Sequence, residues 1–173
     1  MTQATSTFNP DPTLPVLQEI HRTFGMVPNL FRAYAKHPAL LEANWNKVKA
    51  VLLDGGIRRH TKEIMALLVS IDNGCTYCAA AHSAILRSLG MEKSHINALL
   101  LGLYPSELTA SDVELIKFAR RVNLHWRDIS NDDLESMKQM GIAETDIIEA
   151  IGIVELFSGF NRFARTMQVE VDF

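Results

Sequence analysis

EIMALLVSIDNGCTYCAAAHSAILRSLG, residues 63–90, decides how this chain is read. It holds both cysteines of the sequence, Cys75 and Cys78, with His82 four positions after the second. Read as a helix, Cys75, Cys78, His82, Ile85 and Leu89 recur at steps of three or four, the spacing of one helical stripe. The stripe opens with two thiols and an imidazole and continues as plain core. Just before it, Ile64-Met65-Ala66-Leu67-Leu68-Val69 is apolar almost all round, which predicts a central helix from Arg59–Lys62 to Ile71 or Asp72. Asp72-Asn73-Gly74 is a tight turn with a capping option, and Gly90 stops the cysteine helix after Leu89.

A turn this short folds the two helices into an antiparallel hairpin. The chain climbs roughly 12 Å from Glu63 to Ile71 and descends roughly 10 Å from Cys75 to His82, at 1.5 Å per residue. Glu63 therefore comes level with His82, and four residues converge on one small volume. A cysteine in the first helical turn meets free backbone N–H groups and the positive end of the dipole, both of which favour thiolate. An imidazole can take the thiol proton, and a carboxylate can orient the imidazole. Cys78, one turn from His82, is expected to ionise the more readily. Cysteines three apart in a helix can also close a disulfide, so the set can cycle between dithiol and disulfide.

Two other readings compete. Glu63, Cys75, Cys78 and His82 could ligate zinc, although structural zinc sites draw ligands from separate elements and three of these share one helix. The cysteines could be mere packing, which would leave Glu63 and His82 as polar intrusions in a core stripe. His21, His37, His60, His95 and His125 show no partner pattern and read as surface or loop residues. Trp45 and Trp126 read as core or interface, and Phe157, Phe160 and Phe163 as core or subunit contact.

Working outward, 173 residues suffice for one domain with a substantial core. Hydrophobic residues at 47% and charged residues at 21% are ordinary for a globular protein. A formal charge of −3 gives no electrostatic case for nucleic acid. The densest basic cluster, Arg58-Arg59-His60-x-Lys62, reads as a solvated helix start. No apolar run reaches bilayer length and no signal segment is evident, so a cytoplasmic protein without a membrane partner is expected. C-x-x-C in such a chain argues for reactive thiols or metal over a disulfide framework.

Residues 1–12 read as a flexible arm, and 13–173 as a single all-α domain with its core motif at 38–101. A first helix follows Thr13 and Pro15 and ends at Gly25. Asn29 to Lys36 forms a turn or two, and a longer helix runs from Pro38 to about Leu53, broken by Asp54-Gly55-Gly56. Glu92–Leu101 is a short helix, and Thr109 or Ser111 opens another. Ser130 with Asp133 resembles a capped start for a helix ending at Gly141. The last helix, about Glu144 to Met167, is long and heavily apolar. Val169–Phe173 alternates, which is slight support for a strand, and no other segment shows period two.

E-x11-C-x2-C-x3-H, here Glu63, Cys75, Cys78 and His82, resembles the signature of the alkyl hydroperoxidase D branch of the carboxymuconolactone decarboxylase superfamily. Val27-Pro28-Asn29-Leu30-Phe31 and Asn161-Arg162-Phe163 resemble flanks of its peroxidase-related members. The resemblance implies a helical bundle of that type and a thiol-dependent peroxidase. Cys78 would be the peroxidatic thiol, passing through a sulfenic acid, and Cys75 the proton donor and resolving thiol. His82 and Glu63 would form the proton relay, with no cofactor and no metal. The partners implied are a hydroperoxide, a dithiol or protein reductant, and further copies of the chain in a homo-oligomer, trimer or hexamer. A non-peroxidase thiol-disulfide oxidoreductase or redox sensor on the same fold is the alternative, and lactone decarboxylation, which needs no C-x-x-C, is less favoured. Where alkyl hydroperoxidase D proper resembles C-x-H-C, this chain has Tyr77.

Overall fold

The computed structural model describes residues 15–173; the expected arm, the Thr13 cap and the start of the domain at 13 lie outside them. Among the described residues the chain is all-α, with no strand, and the alternation at 169–173 forms none. The helices are α1 (Pro15–Phe24), α2 (Asn29–Tyr34), α3 (Pro38–Val48), α4 (Arg59–Asp72), α5 (Thr76–Ser88), α6 (Lys93–Leu100), α7 (Ala110–His125), α8 (Asn131–Gln139) and α9 (Glu144–Thr166).

Local chemistry sets most of their ends. His37 accepts from the Leu40 N–H at 3.3 Å, and Pro38 follows as a first helical residue that needs no N–H partner. Capping boxes open α7, from Thr109 with Asp112, and α8, from Ser130 with Asp133. The helix expected to run unbroken to Leu53 changes pitch: α3 ends at Val48 and Lys49–Leu53 winds as a π-turn. The looser turn aims the Leu52 carbonyl at Arg59 Nη1, 3.2 Å away, a long-range demand no periodicity shows.

The central helix is α4. Every residue from Thr61 to Ser70 is buried, because α5, α7 and α9 each cover one side of it. The apolar run at 64–69 is thus the centre of the bundle. α9 lays Ile147, Ala150, Ile153, Val154, Phe157, Phe160 and Ala164 into the same core. Phe24, Phe31, Trp45 and Phe160 interlock edge-on around its far end, with ring centroids 5.6–6.0 Å apart. Trp126, by contrast, is mostly exposed, with the Arg127 guanidinium 4.3 Å from its ring.

The basic cluster at 58–62 is only in part a solvated helix start: Arg58 and His60 are exposed, but Lys62 is not. Lys62 is 2% exposed and pairs with Glu149 of α9 and the Asp54 carbonyl. Glu149 also accepts from the Gly56 N–H at 2.9 Å, so one buried ion pair ties the loop before α4 to α9. A side chain at Gly55 would collide with that carboxylate, since a Cβ there would stand 2.4 Å from Oε2. Arg58 pairs with the buried Asp112 of α7, and His60 Nε2 lies 3.0 Å from the Leu89 carbonyl. These partners sit far along the chain, so the cluster's own composition could not reveal them.

Candidate active site

The α4–α5 turn positions the site. Gly74 takes φ +68°, a conformation that L side chains resist, and lets the Cys75 N–H reach back to the Ser70 carbonyl at 2.8 Å. Cys75 therefore stands one residue before the helix, as the N-cap of α5, and its sulfur accepts from the Cys78 N–H at 3.3 Å. Cys78 lies in the first turn. Both cysteines are free and buried, and their sulfurs are 2.7 Å apart.

The hairpin brings the remaining motif residues together. Glu63 is fully buried, and its Oε2 lies 2.6 Å from His82 Nδ1. Its Oε1 is gripped by Arg59 through Nε at 2.8 Å and Nη2 at 2.6 Å. A carboxylate shut away from water is expensive alone, and the guanidinium fork offsets that cost. His82 is 4% exposed, and its ring stands edge-on to Phe157 with centroids 4.4 Å apart. With Nδ1 committed to Glu63, Nε2 is the nitrogen left to exchange a proton. Among the described residues, no group of three or more His, Cys, Asp or Glu is arranged to hold a metal ion.

A cavity of about 490 Å³ opens onto this set. Cys78, His82 and Arg59 reach its wall together with Phe24, Phe31, Phe157, Phe160, Leu52 and Ile85; Cys75 does not. The sulfur that meets an incoming apolar molecule is that of Cys78.

Charge rests on the other sulfur. The hydrogen bond from Cys78 is the main force holding the Cys75 thiol down, at about 6, helped by the Cys78 N–H, the Asn161 amide and the His82 charge against opposing burial. Cys78 is pushed up, first by its hydrogen bond with Cys75 and then by burial. For the resting dithiol this direction favours Cys75 as the thiolate, whereas nearness to His82 favours Cys78. The physical reason is the N-cap position, which gives Cys75 a backbone donor as well as its partner's proton.

Tyr77 is buried. Its hydroxyl accepts from the Leu30 N–H at 3.1 Å, and its ring packs against Phe173. Burial pushes its phenol up, so it is no base at neutral pH. Sequence reading missed two site residues. Arg59 was signalled only by its place one turn before Glu63, and Asn161 by a polar amide among the apolar positions of α9 and by its place in the Asn161-Arg162-Phe163 flank.

The arrangement can be set beside known proteins. Residues 38–121 match the model of the carboxymuconolactone decarboxylase family. An alkyl hydroperoxide reductase of Mycobacterium tuberculosis is 31% identical over 91 residues, 53% of this chain. That stretch is only 26% of the curated relative, so the chain matches about a quarter of its length. A peroxidase-related protein from Ralstonia eutropha JMP134, described as an alkylhydroperoxidase core, superimposes with TM-score 0.79 at 25% identity, covering 90% of this chain and 83% of that one. A peroxidase-related protein from Silicibacter sp. TM1040 gives TM-score 0.81 at 25% identity, covering 94% and 86%. A debrominase shares the fold at 20% identity, with TM-score 0.77 over 93% of this chain and 87% of its own. The motif, the fold and these matches together support the alkyl hydroperoxidase D-like/carboxymuconolactone decarboxylase superfamily.

Proposed function

We propose that this protein is a thiol-dependent peroxidase that reduces hydroperoxides through Cys75 and Cys78, with His82 and Glu63 as proton relay. The observation that carries the reading is the split between the sulfurs. Cys75, whose sulfur accepts a backbone N–H, is shielded from the cavity, and its 2.7 Å partner faces it beside a buried His–Glu pair. The names of the alkyl hydroperoxide reductase and peroxidase-related relatives agree with it.

The reaction begins with the Cys78 proton crossing to the Cys75 thiolate. The Cys78 thiolate attacks the outer peroxide oxygen, and the O–O bond breaks with both electrons on the leaving oxygen. That oxygen takes the proton from Cys75 and departs as the alcohol, or as water from hydrogen peroxide. Cys78 is now a sulfenic acid and Cys75 again a thiolate. Cys75 attacks the Cys78 sulfur, the S–S bond forms and the S–O bond breaks. Hydroxide leaves as water with a proton delivered through His82, which Glu63 orients. The sulfur pair has lost two electrons and the peroxide has gained them; an external dithiol restores the pair by exchange. The cycle needs neither cofactor nor metal, and we place it in the cytoplasm, in a homo-oligomer.

A second reading has one observation in its favour. The cavity beside Cys78 is walled by aromatic rings, and the structural neighbours include a debrominase, so another flat apolar electrophile could meet the same sulfur. Steady-state consumption of hydrogen peroxide and of an organic hydroperoxide under excess dithiol tests the peroxidase reading. Continuous turnover is expected, abolished in Cys78→Ser. Cys75→Ser should oxidise once and accumulate a trappable sulfenic acid. One equivalent consumed, then arrest despite the dithiol, would instead mark a redox sensor.

A further inference from the structure

On its α9 side the sulfur pair meets a neutral polar chain. Asn161 is 2% exposed, on a stripe otherwise made of Phe157, Phe160 and Ala164. Its Nδ2 donates to Ser70 Oγ at 3.0 Å, the residue whose carbonyl holds the Cys75 N–H. Its Oδ1 accepts from Asn73 Nδ2 at 2.9 Å. Asn73 in turn exchanges hydrogen bonds with Asn123 of α7, at 3.2 and 3.0 Å, and the Ser158 hydroxyl donates to Asn123 Oδ1 at 3.0 Å.

Apart from the bond that Asn73 returns to Asn123, these bonds run one way. Ser158 donates to Asn123, Asn123 to Asn73, Asn73 to Asn161, and the amide N–H groups of Asn161 come last. A chain of donors aligned this way polarises each successive amide and presents its positive end to whatever lies beyond. Beyond Asn161 lie the two sulfurs: its partner Ser70 holds the Cys75 N–H through its carbonyl, and the Asn161 amide favours the ionised form of each thiol. Oxygen partners account for its carbonyl and for one N–H, so the second N–H is the donor available to sulfur. Packing alone would be served by a leucine here, and burying an amide without a use for its donors is costly.

We propose that Asn161 is a positioning residue for the thiol pair. Its amide, aimed by the Ser70, Asn73, Asn123 and Ser158 hydrogen bonds, holds the Cys75 sulfur as thiolate and in contact with Cys78. This device is separate from the His82–Glu63 relay: it carries no proton and lowers the energy of a charge already formed. It rests on the peroxidase reading only in concerning the same sulfurs. The titratable groups around the pair are His82 of α5, Glu63 of α4 with Arg59 behind it, Tyr34 of α2 and Tyr77 of α5. Tyr34 is held up to about 12, chiefly by burial, and both tyrosines stay neutral across the range where Cys75 titrates.

The test is thiolate titration of the reduced protein, by thiolate absorbance and by alkylation rate against pH, which needs no peroxide. In Asn161→Ala the midpoint should rise by roughly one to two pH units, the loss of a hydrogen bond to a charged group. Thiolate at a pH below the new midpoint should fall by about ten-fold or more. Asn123→Ala, remote from the sulfurs, should move it the same way by less. A folded Asn161→Ala with the parent's titration curve overturns the proposal, even if its melting temperature has dropped. Should Asn161→Ala fail to fold, Asn123→Ala decides, and an unmoved midpoint there overturns it as well. Failure of the peroxidase reading would show as normal titration shifts in a protein that turns over no hydroperoxide.

Discussion

Two neighbouring residues of α4, Lys62 and Glu63, are both buried and both ion-paired, yet they serve different regions. Lys62 turns to Glu149 of α9 and holds the loop before α4; that carboxylate also caps the Gly56 N–H. Glu63 turns to His82 of α5, which lines a cavity together with the free thiol Cys78. Burial is alike in the two pairs. What separates them is the company: the second pair contains the one side-chain type that ordinarily exchanges protons near neutral pH, and a nucleophile lies within reach. A buried ion pair alone marks constraint. A buried pair with a titratable ring and a reactive sulfur marks chemistry.

The comparison breaks most easily at Lys62. Lys62→Met strands Glu149 without its counter-charge and should cost about 3–5 kcal/mol of stability. Replacing both partners, Lys62→Met with Glu149→Leu, should recover part of that loss. Denaturant unfolding measures both, and peroxide turnover per folded molecule should stay within about two-fold of the parent. A Lys62→Met protein of unchanged stability but lost activity would erase the distinction between the pairs.

At Glu63 the balance is the other way. Glu63→Gln and His82→Ala should each lower steady-state turnover by roughly ten-fold or more, as positioned acid–base groups do. Circular dichroism must show the variants folded. Glu63→Gln that kept full turnover would reduce this pair to another structural tie.

The smallest effect sharpens the comparison through pH. Cys75 is held below its ordinary value, at about 6, by the Cys78 hydrogen bond above all, so its thiolate is present above that pH and protonated below it. Cys78 loses its base as Cys75 gains the proton. Turnover should therefore fall as pH is lowered through about 6, while Lys62→Met/Glu149→Leu leaves that midpoint in place. A profile that instead rises toward acid pH would put the resting charge elsewhere.

By itself the sequence determined the all-α fold, the α4–α5 hairpin and the meeting of Glu63 with His82. Each depends on short-range rules: 3.6-residue periodicity, a turn that only a few conformations satisfy, and a rise fixed at 1.5 Å per residue. Capping boxes at Thr109 and Ser130 were legible for the same reason, since the donor and acceptor lie within one turn. Tertiary structure alone decided that Lys62 is buried, that Arg59 clasps Glu63, and that Asn161 meets the sulfurs. Their partners are brought up by packing of distant helices, and nothing in the local pattern encodes which distant residue arrives. It also decided which thiol holds the charge. The α5 helix begins at Thr76, one residue after Cys75, and that single step turns a first-turn cysteine into an N-cap with a backbone donor of its own.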